Sequence, residues 1–155
     1  MNDADVLQRL SELGIELPPP PQALAAYVPV RRLGGLAFVA GQVPMVDGEV
    51  LHPGHLGKDV SVEQGAEAAR RAAVQALAAL RGALGTFDAI EALAQVSVFV
   101  AATSDFTQHP QVANGASELL ADVLGDAGQH ARAAVGVPSL PLGASVEVAM
   151  TAALR

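Results

Sequence analysis

Two ionisable side chains stand in the most apolar and small-residue part of the chain. Arg132 lies within Ala131-Arg132-Ala133-Ala134-Val135-Gly136-Val137, and Glu147 within Ser145-Val146-Glu147-Val148-Ala149-Met150. Each flank reads as a buried β-strand, because Val146, Val148, Met150, Ala152 and Leu154 recur at every second position and so share one face. The connector between them, Pro138-Ser139-Leu140-Pro141-Leu142-Gly143, is turn material and predicts a short hairpin or tight strand connection. A turn centred near Ser139-Leu140 sets Arg132 and Glu147 roughly opposite each other. A charge buried without a partner costs on the order of several kcal/mol. The two must therefore pair across the strands or face a ligand. In the first reading they form a structural salt bridge. In the second, the planar arginine fork grips a carboxylate through two parallel hydrogen bonds, and the glutamate handles a proton or orients a water. The small residues Ala131, Ala133, Ala134 and Gly136 leave space beside Arg132 and favour the ligand.

The elements that must position this pair can be read in order. Asp3 to Leu13 predicts a short amphipathic helix, capped by Asp3, with Val6, Leu7, Leu10 and Leu13 on one face and Gly14 at its end. Leu17-Pro18-Pro19-Pro20-Pro21 is a stiff, extended segment. Together they read as an N-terminal extension, residues 1–23, ahead of a core within one domain spanning 1–155. Tyr27 to Arg32 predicts an edge strand, since it contains Pro29. After Gly34-Gly35, Leu36 to Ala40 predicts a more buried strand ending at Gly41-Gln42, where the bare glycine lets something approach the backbone. Residues 44–59 read as loop. His52 and His55 fall there as solvent-exposed histidines without a clustered ligand set.

Ser61 to Leu84 is the clearest helix, with a Ser61/Gln64 capping box, Ala66, Ala69, Ala73, Leu77, Leu80 and Leu84 at helical spacing, and Gly85 as its stop. Arg70 and Arg71 belong to its solvated side. Ala92 to Ala101 is a valine-rich strand. A second helix begins at His109-Pro110 and runs to about Leu124, with Asn114 in its first turns. The predicted order is β-β-α-β-α-β-β after an N-terminal helix, an α+β fold. Two long helices cover one face of a sheet, whereas the strands carry apolar or small residues on both, so a symmetric oligomer is the expected cover for the other face.

Composition narrows the function. The 155-residue chain is 51% hydrophobic and only 16% charged, with a mean hydropathy of +0.35, too apolar for disorder. A net charge of −7 with 3% aromatic residues makes it a poor partner for nucleic acid. It contains no cysteine, which excludes disulfides, thiolate catalysis and cysteine-ligated zinc. The acidic start, Met1-Asn2-Asp3-Ala4-Asp5, has no signal-peptide pattern, and no apolar run approaches the ~20 residues of a membrane span. A cytoplasmic location, no membrane contact, no metal and no cofactor are the expectations.

The order of elements, together with Tyr27, Leu36-Ala37-Phe38-Val39-Ala40-Gly41-Gln42, the helix from Ser61, Val96-Ser97-Val98-Phe99-Val100, Asn114, Ala131-Arg132-Ala133-Ala134-Val135 and Val146-Glu147-Val148, resembles the Rid family of reactive-intermediate deaminases, also called YjgF-like or L-PSP endoribonuclease-like proteins. The resemblance covers about residues 24–155, and the proline-rich start marks a divergent subgroup. It implies a chorismate-mutase-like homotrimer with ligand sites in clefts between subunits. It also implies hydrolysis of enamines and imines, such as 2-aminoacrylate or its imine form, to 2-keto acids and ammonia. By resemblance, Arg132 holds the substrate carboxylate, Glu147 positions or activates water, main chain at Gly41 and Ala134 contacts substrate, and Tyr27 and Asn114 lie near the pocket. Ala40, His130 and Ala133 depart from the serine, proline and serine common at these places. The alternative is a non-catalytic trimer that binds small carboxylates or 2-keto acids in a regulatory role. An endoribonuclease fits the acidic composition least.

Overall fold

The computed structural model describes residues 2–22 and 26–155. Met1 and residue 23, the end of the expected extension, lie outside them. The chain forms α1 (Asp3–Glu12), β1 (Val30–Leu33), β2 (Leu36–Gln42), β3 (Met45–Val46), β4 (Glu49–Val50), α2 (Val62–Leu84), β5 (Ile90–Ala101), α3 (His109–Leu124), β6 (Ala131–Val137) and β7 (Val146–Leu154). This is an α+β arrangement, a mixed sheet with two long helices on one face. Residues 44–59, expected as loop, carry the small β3–β4 hairpin, which turns at Asp47-Gly48.

The main sheet has the order β1-β2-β7-β5-β6. Its neighbours run antiparallel except β6, which lies parallel to β5. That parallel pair needs a crossover, and α3 supplies it. β6 and β7 are thus separated by β5, and the expected hairpin between them does not exist. The eight residues from Pro138 to Ser145 are enough to carry the chain past one intervening strand, a span of roughly 10 Å. Adjacency in sequence suggested pairing, but β7 instead takes a central place, bonded on both sides.

Alternation decides the two faces. Val96, Val98 and Val100 of β5 and Val146, Val148, Met150 and Ala152 of β7 are buried under the helices. Helix α2 brings Ala69, Ala73, Leu77 and Leu80 to this layer, and α3 brings Val112, Ala116, Leu119, Leu120 and Val123. Ser61 and Gln64 form the capping box, and Gly85 ends α2 in the left-handed region at φ 79°. The two helices approach closely at Gly115, whose missing Cβ leaves room for the Ala66 carbonyl. Only small residues permit such contact. The other face of the sheet, with Phe38, Gln95, Ser97, Phe99, Ala149 and Thr151, carries no helix, and Phe38 remains 43% exposed.

The N-terminal helix joins the same core, since Val6 and Leu10 are fully buried in it. Asn2, not Asp3, caps α1 by accepting from the Asp5 amide. The Asp3 carboxylate is used elsewhere. It accepts from Arg81 Nε at 3.0 Å, Arg81 Nη2 at 2.9 Å and the Phe87 amide at 2.8 Å, which ties α1 to the end of α2.

Candidate functional site

Arg132 sits on β6, an edge strand with no buried residue rather than the buried strand expected. It pairs in register with Val96 of β5, a core-facing residue, and parallel partners point to the same side. Arg132 therefore faces the helix layer, where its Nη1 donates to Asn114 Oδ1 at 2.9 Å and to Ser117 Oγ at 3.1 Å, both on α3. Asn114 and Ser117, three residues apart, share one helix face. These bonds use both hydrogens of Nη1. Among the described residues no protein acceptor engages Nε or Nη2, the side-on pair that fits a carboxylate bidentately. Ala134 shares the same face two residues on, and β6, as an edge strand, offers unpaired main-chain groups beside it.

Glu147 lies elsewhere. It is in register with Phe99 and therefore points to the helix-free face. Its carboxylate rests against Gly41, at the place where the β2–β7 register slips between Val39 and Gln42. A Cβ at position 41 would occupy the space of Glu147 Oε1. The slip is a bulge that turns the Gly41 backbone toward the open face. Burial raises the Glu147 carboxyl above the ordinary glutamate value, because desolvation disfavours the charged form. Tyr27, 51% exposed, precedes β1 at the far edge from β6.

The expected opposition of Arg132 and Glu147 is thus corrected. They occupy opposite faces, two strands apart and three positions along, roughly 10 Å in each direction. No salt bridge joins them. The expected site residues fall into two separate groups: Arg132 with Asn114 and Ala134 at the β6 edge, and Glu147 with Gly41 on the β2–β7 face, with Tyr27 beyond it. The opposition fails because β5 stands between β6 and β7. The alternation around Glu147 is legible, but Arg132 is flanked by alanines on both sides, and such residues give no signal of face.

Ser117 and His130 also belong to the surroundings of Arg132, through the bond of Arg132 to Ser117 and that of Ser117 to His130. The Asn114–Ser117 spacing on one helix face is the signal that could have exposed the first. A cavity of about 590 Å³ lies further along the groove between β6 and α3, lined by Thr103, Phe106, His109, Gly136 and Pro138 among others. His109 packs edge-on to Phe106, with ring centroids 5.1 Å apart, and sits over Gly136. The loop histidines are not free. His52 Nε2 meets Glu67 Oε2 at 2.6 Å, and His55 Nε2 meets the Pro138 carbonyl at 2.7 Å. Arg71 likewise leaves the solvated side expected of it and donates to the Met45 carbonyl at 2.5 Å. Among the described residues no three His, Asp or Glu side chains cluster as a metal ligand set, and no helix is long and apolar enough to cross a membrane.

A small mixed sheet with two long helices on one face is the α+β architecture of chorismate-mutase-like proteins. Residues 7–154 match the family model described as "YjgF/chorismate_mutase-like, putative endoribonuclease", and the chain belongs to that family. Protein TCP17 of Trypanosoma cruzi is 40% identical over 144 residues, 92% of this chain and 90% of that protein. The crystal structure of Atu1372 from Agrobacterium tumefaciens, a protein of unknown function, superposes with a TM-score of 0.93 at 41% identity, covering 99% of this chain and 95% of that one. The E. coli protein TdcF, whose structure contains bound serine, shares the fold at 20% identity and a TM-score of 0.62, over 87% of this chain and 92% of its own.

Proposed function

We propose that this protein hydrolyses reactive enamines and imines of the 2-aminoacrylate type to 2-keto acids and ammonia, in clefts between the subunits of a homotrimer. The observation that carries the reading is the posture of Arg132. Asn114 and Ser117 occupy Nη1 and leave the Nε–Nη2 edge open. An exposed guanidinium held in this way is preorganised for a planar carboxylate. The second part-site supplies the proton chemistry. The enamine first takes a proton at carbon and loses one from nitrogen to become the neutral imine. Water then adds to the imine carbon: a C–O bond forms, the C=N π pair moves to nitrogen, and the proton lost by water ends there, giving the carbinolamine. Its hydroxyl proton then passes to nitrogen, and ammonia leaves as the C=O bond forms. A glutamate whose carboxyl is raised by burial can take the proton from water and return it to nitrogen. An imine carbon is already electrophilic, so positioning and one acid–base group suffice.

Separation of the part-sites supports the trimer. Within one chain Arg132 and Glu147 cannot reach one ligand, whereas the β6 edge of one copy laid against the Gly41–Glu147 face of the next brings them together. The same packing would cover the helix-free face that carries Phe38.

A second reading is a trimer that binds small carboxylates without turnover. It is favoured by the bound serine of TdcF, an amino acid that carries a carboxylate. RNA cleavage has less support, since a net charge of −7 repels a polyphosphate. Rapid turnover of freshly generated 2-aminoacrylate by the wild-type protein is the expected result. Tight pyruvate binding with no acceleration of the spontaneous hydrolysis would give the second reading its place.

A further inference from the structure

His130 closes a chain of hydrogen bonds that begins at Arg132 and that the carboxylate reading does not use. Its Nδ1 lies 2.6 Å from the Gly128 carbonyl, and its Nε2 lies 3.0 Å from Ser117 Oγ. A carbonyl oxygen only accepts, so Nδ1 carries the proton. In the neutral imidazole Nε2 is then an acceptor, and the Ser117 hydroxyl donates to it. The Ser117 lone pairs are left to accept from Arg132 Nη1 at 3.1 Å, while Asn114 Oδ1 accepts the other Nη1 hydrogen at 2.9 Å. Each donor direction is thereby fixed, from Arg132 to Ser117, from Ser117 to His130, and from His130 to Gly128.

The role of the imidazole follows from what a helical serine does without it. Ser117 lies inside α3, and a mid-helix serine ordinarily turns its hydroxyl onto the carbonyl three or four residues back. His130 draws that proton to the opposite side and sets the hydroxyl rotor, so the oxygen presents lone pairs to the guanidinium. No ion pair holds His130 itself; among the described residues the three ion pairs lie elsewhere. The serine and histidine are both half-buried, which protects the chain from competition by water.

We propose that His130 is a positioning residue for Arg132. Acting through the Ser117 hydroxyl, it locks Nη1 so that the Nε–Nη2 edge faces the ligand carboxylate. This rests on the reading of Arg132 as a carboxylate clamp. The test compares wild type with His130→Ala, His130→Gln, Ser117→Ala and the double variant Ser117→Ala/His130→Ala. Pyruvate affinity is measured by calorimetry, and the hydrogen exchange of the Arg132 guanidinium is measured by NMR in the ligand-free protein. His130→Ala should weaken pyruvate binding about threefold to tenfold, roughly the worth of one ordinary hydrogen bond. It should also speed exchange at Arg132. Ser117→Ala should do the same, and the double variant should be no weaker than Ser117→Ala alone, because one residue acts through the other. Glutamine at 130, whose carbonyl can accept from Ser117, should recover part of the affinity, and it carries the test if the alanine variant fails to fold. Additive losses, or affinity lost while Arg132 exchange stays unchanged, would overturn the proposal. If the wild type binds no pyruvate but Arg132 exchange still responds to position 130 through Ser117, the carboxylate reading falls and the relay stands. If pyruvate binds and exchange does not respond, the relay falls and the clamp stands.

Discussion

The carboxylate of Glu147 occupies the space that a side chain on Gly41 would fill. The two residues belong to neighbouring strands, and the bulge between Val39 and Gln42 is what brings the Gly41 backbone over the acid. A requirement for glycine here is spatial, since Gly41 is not among the residues with positive φ.

Gly41→Ala is therefore a selective probe of the acid. The atom in the way is the end of a flexible glutamate, so the added Cβ should displace the carboxylate without unfolding the sheet. Steady-state turnover should fall by roughly tenfold or more, as expected when an acid–base group leaves its position. Melting temperature should change little, and turnover should fall more than pyruvate affinity. A crystal structure of the variant with Glu147 in its original place and full activity would contradict this.

Gly115→Ala tests the helix layer instead. Alanine favours an isolated helix over glycine by about 1 kcal/mol. Here, however, its Cβ would meet the Ala66 carbonyl, a rigid backbone atom, so α2 and α3 must separate. Overpacking of this kind costs about 1–3 kcal/mol and should outweigh the propensity gain. Chemical denaturation should show a lower midpoint. Because Asn114 and Ser117 flank the contact, keto-acid affinity should drop with it.

The sequence carried some of this plainly and some not at all. Helix α2 was legible end to end because its signals are local: Ser61 and Gln64 at the start, Gly85 at the stop, and small residues at helical spacing between. The inward valines of β5 and β7 were legible through their alternation. Strand order was not. β7 follows β6 in the chain, and nothing local in Pro138–Ser145 says that β5 will stand between them. The expected opposition of Arg132 and Glu147 depended on that order. Asp3 shows the same limit at smaller scale. Its type suits a cap, yet Arg81 and the Phe87 amide, 78 and 84 residues away, claim its carboxylate.

Stability should depend on pH through Glu147. Burial raises its carboxyl above the ordinary 4.5, so the unfolded chain ionises it more readily than the folded one. Its contribution to stability is complete below that ordinary value and is lost as pH rises through the raised one. Glu147→Gln removes this penalty. The variant should melt above the wild type at about pH 8 and should lose its advantage by about pH 4. An advantage that grows as pH falls would mean that the acid is instead stabilised in its charged form.

Assembly can be tested on the helix-free face. In light scattering the wild type should behave as three copies of the 15.7 kDa chain. Phe38→Glu places a charge on a face that the proposed trimer buries, where desolvation without a partner is costly. It should shift the population to monomer and remove turnover with it, while helix content by circular dichroism stays. A stable wild-type monomer at micromolar concentration would remove the proposed cleft altogether.

Arg132 and Glu147 should separate by mutation into a binding and a catalytic role. They are not ion-paired, so neither change leaves the other charge newly orphaned. Arg132→Ala removes the clamp, and Arg132→Lys keeps the charge but loses the fork and the Nη1 bonds to Asn114 and Ser117. Charged hydrogen bonds contribute roughly 1.5–3 kcal/mol each, so both should weaken pyruvate binding at least about tenfold. Because Arg132 is exposed on an edge strand, its loss should move the melting temperature little. Glu147→Gln is nearly isosteric and removes the proton acceptor. It should keep pyruvate affinity while slowing imine hydrolysis on the order of 10²-fold. A cycle in which either variant loses binding and rate in equal measure would merge the two roles. Early melting of both, with no carboxylate bound by the wild type, would reduce them to structural groups.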